Sequence, residues 1–206
     1  MQQTNVLRRA LKVRTLRKNT LVSPREFVED PYYLGKLVGD IHENWKRELS
    51  FVLDPANGIT EWILRGSIGC GKSTAAAIAQ CYKIYVLTLL ADPAAFYDLL
   101  PGSSLVFGVF SITLRKADRS YELMKDYLDD CPYFRDYHPR LQRPDNPIEI
   151  PDKNIRIEQG SLSEHALSEN MFSFTLDEAN FFKKIRDPAA REERTRAPGS
   201  HVTRAG

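Results

Sequence analysis

The eight residues Gly66-Ser67-Ile68-Gly69-Cys70-Gly71-Lys72-Ser73 constrain the fold of this chain more than any other stretch. They satisfy G-x-x-x-x-G-K-[ST], a pattern that a chain of this size meets by chance roughly once in 100 to 200 sequences. Residues 59–64, ITEWIL, precede the pattern and are rich in strand formers, while residues 72–77, KSTAAA, form a strong helix start. The order strand, glycine-rich loop, helix is the context that separates a phosphate loop from an ordinary glycine turn. Glycines let the backbone curl until successive N–H groups converge on an anion, and the positive end of the following helix adds to the same point. Lys72 then reaches the β and γ phosphates of ATP and the Ser73 hydroxyl ligates Mg²⁺. Gly66, Ser67, Ile68, Gly69, Cys70, Gly71 and Thr74 complete the expected nucleotide contact.

A second constellation lies at Asp177-Glu178, directly after MFSFTL (171–176), which reads as a strand. Two carboxylates closing an apolar strand are either a solvated terminus or half of a phosphate-transfer site. The phosphate loop upstream favours the second reading: Asp177 binds Mg²⁺, usually through water, and Glu178 polarises the attacking water. Both roles demand a rigid strand end near the loop. A glutamate directly after the magnesium aspartate fits hydrolysis, whereas a small-molecule kinase needs an acceptor pocket that no residues here suggest.

Other segments supply the rest of an α/β fold. Ser23-Pro24-Arg25-Glu26 predicts a capped helix start, interrupted at Asp30-Pro31. Ile41, Trp45, Leu49 and Val52 recur at helical spacing until Asp54-Pro55. The apolar run 78–91 reads as a buried helix, too short and too interrupted to cross a bilayer. Residues 105–112 (LVFGVFSI) predict a strand covered on both faces, with a helix over 114–128. Prolines at 139, 144, 147 and 151 leave room for short strands only, at 148–150 and 154–158, and 161–170 reads as a polar connection. Strands alternating with helices predict an α/β sandwich around a largely parallel sheet.

Composition narrows the class. At 206 residues, with 42% hydrophobic and 27% charged, the chain affords one core and argues against a disordered polymer. The net charge of +2 is too small to imply nucleic-acid binding by bulk charge, so any basic site is local. The expected local site is residues 1–22, where Arg8, Arg9, Lys12, Arg14, Arg17 and Lys18 occur without an acid: an arm for DNA or a partner, or a solvated charge run. Three cysteines and four histidines fit no zinc spacing and no disulfide framework, so a reducing cytoplasm is expected, with no export signal and no membrane span. Residues 183–206 carry charges, Pro188, Pro198 and Gly199 without an apolar period, and read as a loop or tail.

Residues 24–182 resemble the ATPase domain of bacteriophage terminase large subunits, the motors that drive double-stranded DNA into a procapsid. Beyond the phosphate loop, the resemblance rests on Phe27-Val28-Glu29-Asp30-Pro31-Tyr32-Tyr33-Leu34-Gly35 with Trp45, on the strand from Val106-Phe107 to Thr113, and on Thr175-Leu176-Asp177-Glu178-Ala179-Asn180-Phe181. It implies a P-loop NTPase of the RecA-like, additional-strand catalytic-glutamate type, spanning 23–182 and incomplete at its C-terminal end. On that reading Lys72 and Glu178 are catalytic, Ser73 and Asp177 hold Mg²⁺, and the chain works as a homo-oligomeric ring on a portal protein with a terminase small subunit, in the host cell cytoplasm. Two departures stand out. Some large terminases carry an arginine within the loop, where this chain has Ser67-Ile68-Gly69, which leaves Arg115 and Arg119 as candidates for a finger acting on a neighbouring subunit, or as solvated helix residues. The family's coupling motif and nuclease domain are not found before Gly206, so no endonuclease activity is expected of this chain. A helicase or other DNA-dependent translocase, and a fragment that binds nucleotide without turnover, remain the alternatives. Tyr32, Tyr33 and Trp45 are either adenine-stacking or core residues, and Cys70 occupies a helix start where thiols oxidise readily.

Overall fold

One sheet organises the molecule: β1 (Leu105–Ser111), β2 (Ile148–Ile150), β3 (Ile155–Ser161) and β4 (Met171–Leu176) lie in the order β2-β3-β1-β4. The structure is a computed structural model that describes residues 21–39, 41–111, 114–138, 148–161 and 170–178. The arm 1–22 except its last two residues, the connection 162–169, residues 139–147 and everything after Glu178 lie outside the described residues. β1 pairs in parallel with β3 and with β4, whereas β2 runs antiparallel to β3. The sheet is thus mostly parallel, and the fold is α/β. β1 is buried along its whole length, as its nearly continuous apolar run requires.

The helices are α1 (Pro24–Glu29), α2 (Glu43–Val52), α3 (Lys72–Thr88), α4 (Pro93–Phe96), α5 (Leu114–Asp130) and α6 (Pro132–Tyr137). Ser23 caps α1 by accepting from the Glu26 N–H at 3.1 Å, with proline in the first turn. α2 starts at His42, whose Nδ1 accepts from the Asn44 N–H. α3 and α5 pack on each other, α5 crosses β1 and β3, and both helices lie over the face that carries Leu105, Phe107, Val109, Ile155 and Ile157. Tyr121, Met124, Tyr127 and Leu128 complete that core from α5. The opposite face of β4 shows Phe174, 56% exposed, and Leu176, 37% exposed.

An aromatic cluster fastens α1 to α3. Tyr85, fully buried, lies 5.1 Å from Phe27, 5.3 Å from Tyr33 and 4.9 Å from Tyr133, ring centre to ring centre. Its hydroxyl accepts from the Val22 N–H, and the Tyr82 hydroxyl donates to the Val22 carbonyl at 2.8 Å. Burial raises both phenol pKa values far above 10. At the other end of α3 the buried Lys153 donates to the Leu90 and Ala91 carbonyls, satisfying acceptors that the helix end leaves open.

One element departs from expectation. Residues 59–64 form no strand. Strand propensity is realised only against a partner edge, and among the described residues β4 has its ladder with β1 alone. Trp62 and Leu64 are partly buried while Ile59, Glu61 and Ile63 are exposed, and Trp62 meets Trp45 of α2 edge to face at 6.1 Å. This segment packs through alternate side chains on a helix instead of hydrogen-bonding into the sheet.

Candidate functional site

The loop 66–71 closes around one ammonium group. Lys72 Nζ donates to the Gly66 carbonyl at 2.9 Å and the Ser67 carbonyl at 2.6 Å, and stands 3.6 Å from Cys70 Sγ. Gly69 and Gly71 have φ of 82° and 87°, the left-handed region where a side chain is strained, so the turns fall where the glycines do. Gly71 is the N-cap of α3, and no side chain among the described residues caps this helix. Its first N–H groups are therefore free of the internal side-chain acceptor that Ser23 supplies to α1. Ser67, Ile68, Gly69, Cys70 and Ser73 are exposed, and Thr74 is half-buried behind them.

The acidic pair is fixed by β1. The Asp177 N–H donates to the Phe110 carbonyl at 2.8 Å, which extends the parallel ladder one residue past β4. Asp177 Oδ1 accepts from the Glu178 N–H at 2.9 Å, and Ser120 of α5 makes a long contact of 3.5 Å to Oδ2. Glu178 has φ of 56°, an uncommon conformation for a residue with a side chain. Both acids are half-buried.

Two hydrogen bonds set the direction of α3 over β4. Gln80 Nε2 donates to Thr175 Oγ1 at 3.0 Å, and Lys83 Nζ donates to Ser173 Oγ at 2.9 Å. Moving down α3 from 83 to 80 thus moves up β4 from 173 to 175, so the start of α3 and the end of β4 point to the same side. From Gln80 the helix continues about 10 Å back to Ser73. From Thr175 the strand continues about 7 Å to Asp177. The loop and the acids stand at nearly the same level, at the carboxyl end of the parallel strands, where ligands of open α/β sheets bind.

The other expected site residues divide. Tyr33 is buried in the aromatic cluster and Tyr32 lies at its edge, 36% exposed, so both belong to packing. Arg119 is exposed on α5, and the side chain of Arg115 lies outside the described ones. Sequence reasoning missed Gln80 and Lys83, which align helix and strand, and Ser120, which touches Asp177, and placed Trp45 only in a core or on a base. Its indole N–H instead donates to the Cys70 carbonyl at 2.9 Å. The signal available for Gln80 and Lys83 was their polarity inside an otherwise apolar helix face. No helix among the described residues is long and apolar enough to cross a membrane. No protein-family model, curated protein or solved structure matches the chain.

Proposed function

We propose that this chain binds ATP at the 66–74 loop and hydrolyses it, as the motor domain of a DNA-packaging ATPase of the terminase large-subunit kind. The observation that carries the reading is the alignment of α3 against β4, which sets the uncapped start of α3 with Lys72 beside the strand end bearing Asp177 and Glu178. The donor set fits a polyphosphate: main-chain N–H groups at a helix start, one ammonium and an exposed hydroxyl. The backbone packs closely behind the loop, where a Cβ added at Gly71 would lie 3.1 Å from Trp45.

In this reading the phosphates replace the Gly66 and Ser67 carbonyls as partners of the Lys72 ammonium, and the N–H groups at the start of α3 take the remaining charge. Ser73 and Asp177 are the residues that would hold Mg²⁺, which offsets phosphate charge when bound. Asp177 is braced for that role by the Phe110 carbonyl, Ser120 and the Glu178 N–H. Glu178 accepts the proton of the attacking water. Double-stranded DNA, a portal protein, a small subunit and a ring of copies are the partners this reading implies. The loose position of residues 59–64 favours a second reading, nucleotide binding without turnover.

Calorimetric titration and phosphate release separate them. Lys72→Ala should abolish ATP binding, while Glu178→Gln should bind ATP and release no phosphate. Normal turnover in Glu178→Gln sinks the assignment of the base, and binding without turnover in the unaltered chain selects the second reading.

A further inference from the structure

Trp45 touches the phosphate loop twice. Its Nε1–H donates to the Cys70 carbonyl at 2.9 Å, and a Cβ added at Gly71 would lie 3.1 Å from the same nitrogen. The indole therefore covers the Cys70–Gly71 peptide and holds its oxygen. In a planar trans peptide the C=O and N–H point in opposite directions. Fixing the Cys70 oxygen toward Trp45 thus aims the Gly71 N–H to the other side, away from the indole. A phosphate loop works only when N–H groups, and not carbonyl oxygens, face the anion.

Trp45 is anchored through its backbone, its ring and its helix. The Trp45 N–H donates to the His42 carbonyl in the first turn of α2, and Trp62 packs against the ring edge to face. α2 is joined to α1 by Arg25 to Glu43 at 2.6 Å and by Lys46 to Glu29 at 3.2 Å. Through the aromatic cluster, α1 is seated on α3, the helix that the loop opens.

We propose that Trp45 is a positioning residue for the phosphate loop: by holding the Cys70 carbonyl it orients the Cys70–Gly71 peptide for a polyphosphate anion and couples α2 to occupation of the loop. This inference rests on the nucleotide reading above, and it names a group that recognises no part of the ligand directly. The loss on removing the donor falls on any polyphosphate ligand and is indifferent to the base.

The test compares Trp45→Phe, which keeps an aromatic ring against Trp62 and removes the N–H, with the unaltered chain and with Lys72→Ala. ATP and inorganic tripolyphosphate, each with Mg²⁺, are titrated calorimetrically. One hydrogen bond contributes about 0.5–1.5 kcal/mol, so Trp45→Phe should weaken both ligands by roughly two- to twelvefold. Because Trp45 and Trp62 are the two tryptophans, Trp62→Phe leaves Trp45 as sole reporter, and its emission should change saturably with tripolyphosphate. This second measurement stands even if Trp45→Phe does not fold. If Lys72→Ala binds both ligands as the unaltered chain does, the nucleotide reading fails and the inference with it. If Lys72→Ala abolishes binding while Trp45→Phe binds normally, or if only ATP and not tripolyphosphate is weakened, Trp45 does not position the loop. A flat emission titration in Trp62→Phe overturns the inference in the same way.

Discussion

Replacing Gln80 by leucine should leave the protein as stable as before or make it more so, although it removes a side-chain hydrogen bond from the interior. Gln80 is 4% exposed; its Nε2 donates to Thr175 Oγ1 at 3.0 Å, and among the described residues its Oε1 has no hydrogen-bond partner. The lost bond costs about 1 kcal/mol, while the buried orphan oxygen that leaves with it relieves about 1–3 kcal/mol. Thr175 is half-buried, so water can take over its hydroxyl. The net expectation for Gln80→Leu is a gain of about 0–2 kcal/mol. Thr175→Val has the opposite sign: it strands the second end of the same amide and should cost about 1–3 kcal/mol. In the double variant the stranded amide is gone, so the two changes should be non-additive by more than about 1 kcal/mol. Reversible urea unfolding of the four proteins, with unchanged slopes, measures each term. A loss of more than about 1 kcal/mol for Gln80→Leu together with a neutral Thr175→Val would refute the reasoning. ATP turnover in the stable Gln80→Leu protein then reports whether this bond also sets the level of the acids against the loop.

The remaining predictions use the same unfolding measurement. Gly71→Ala should destabilise by more than Gly69→Ala: both force a side chain into the left-handed region at about 1–2 kcal/mol, but only at Gly71 does the new Cβ meet Trp45, and equal losses would contradict the loop contact. Lys153→Met should cost about 1–3 kcal/mol because it removes the charged donor from the part-buried Leu90 carbonyl; a neutral result would mean that water already serves that helix end. Stability should fall as pH rises above about 9, since burial pushes the Cys131 thiol up to about 11 from 9.0 and raises the phenols of Tyr33, Tyr82 and Tyr85 above 10.0. Those protonated forms stabilise the folded state fully below the unfolded pKa values and are lost as pH climbs through the folded ones, so a flat profile between pH 9 and pH 11 would count against the buried placement.

Local chemistry announced most elements. Ser23-Pro24 caps α1, the alanine run after Lys72 starts α3, and the nearly all-apolar 105–111 strand occupies a central position with both neighbours parallel. The pairs Ile148–Ile150 and Ile155–Ser161 emerge beside a proline-rich stretch, the second running three residues past its expected end. Residues 59–64 show where such reading stops. Their composition is that of a strand, but a strand is a property of two chains, and nothing within six residues states whether an edge is at hand. The alternation of exposure at Glu61, Trp62, Ile63 and Leu64 follows the period of an extended chain, and Trp45 supplies the packing that a neighbouring strand would have supplied.

The same contrast runs through the site. Glycine positions and the lysine after them were legible because backbone sterics and charge act within the loop itself: Gly69 and Gly71 take positive φ, and the Lys72 ammonium turns back on Gly66 and Ser67. What aligns the loop with Asp177 acts across 95 residues from Gln80 to Thr175 and 90 from Lys83 to Ser173, and no spacing along the chain encodes it. Lys83 makes the point in energetic terms. Burial lowers its pKa, so the folded state carries a penalised charge at neutral pH, and the contribution of this residue to stability rises as pH climbs through the folded pKa toward 10.5. Methionine there would spare the desolvation. A lysine donating to Ser173 is therefore better explained by the register it imposes between α3 and the strand that ends in Asp177 and Glu178 than by the stability it adds.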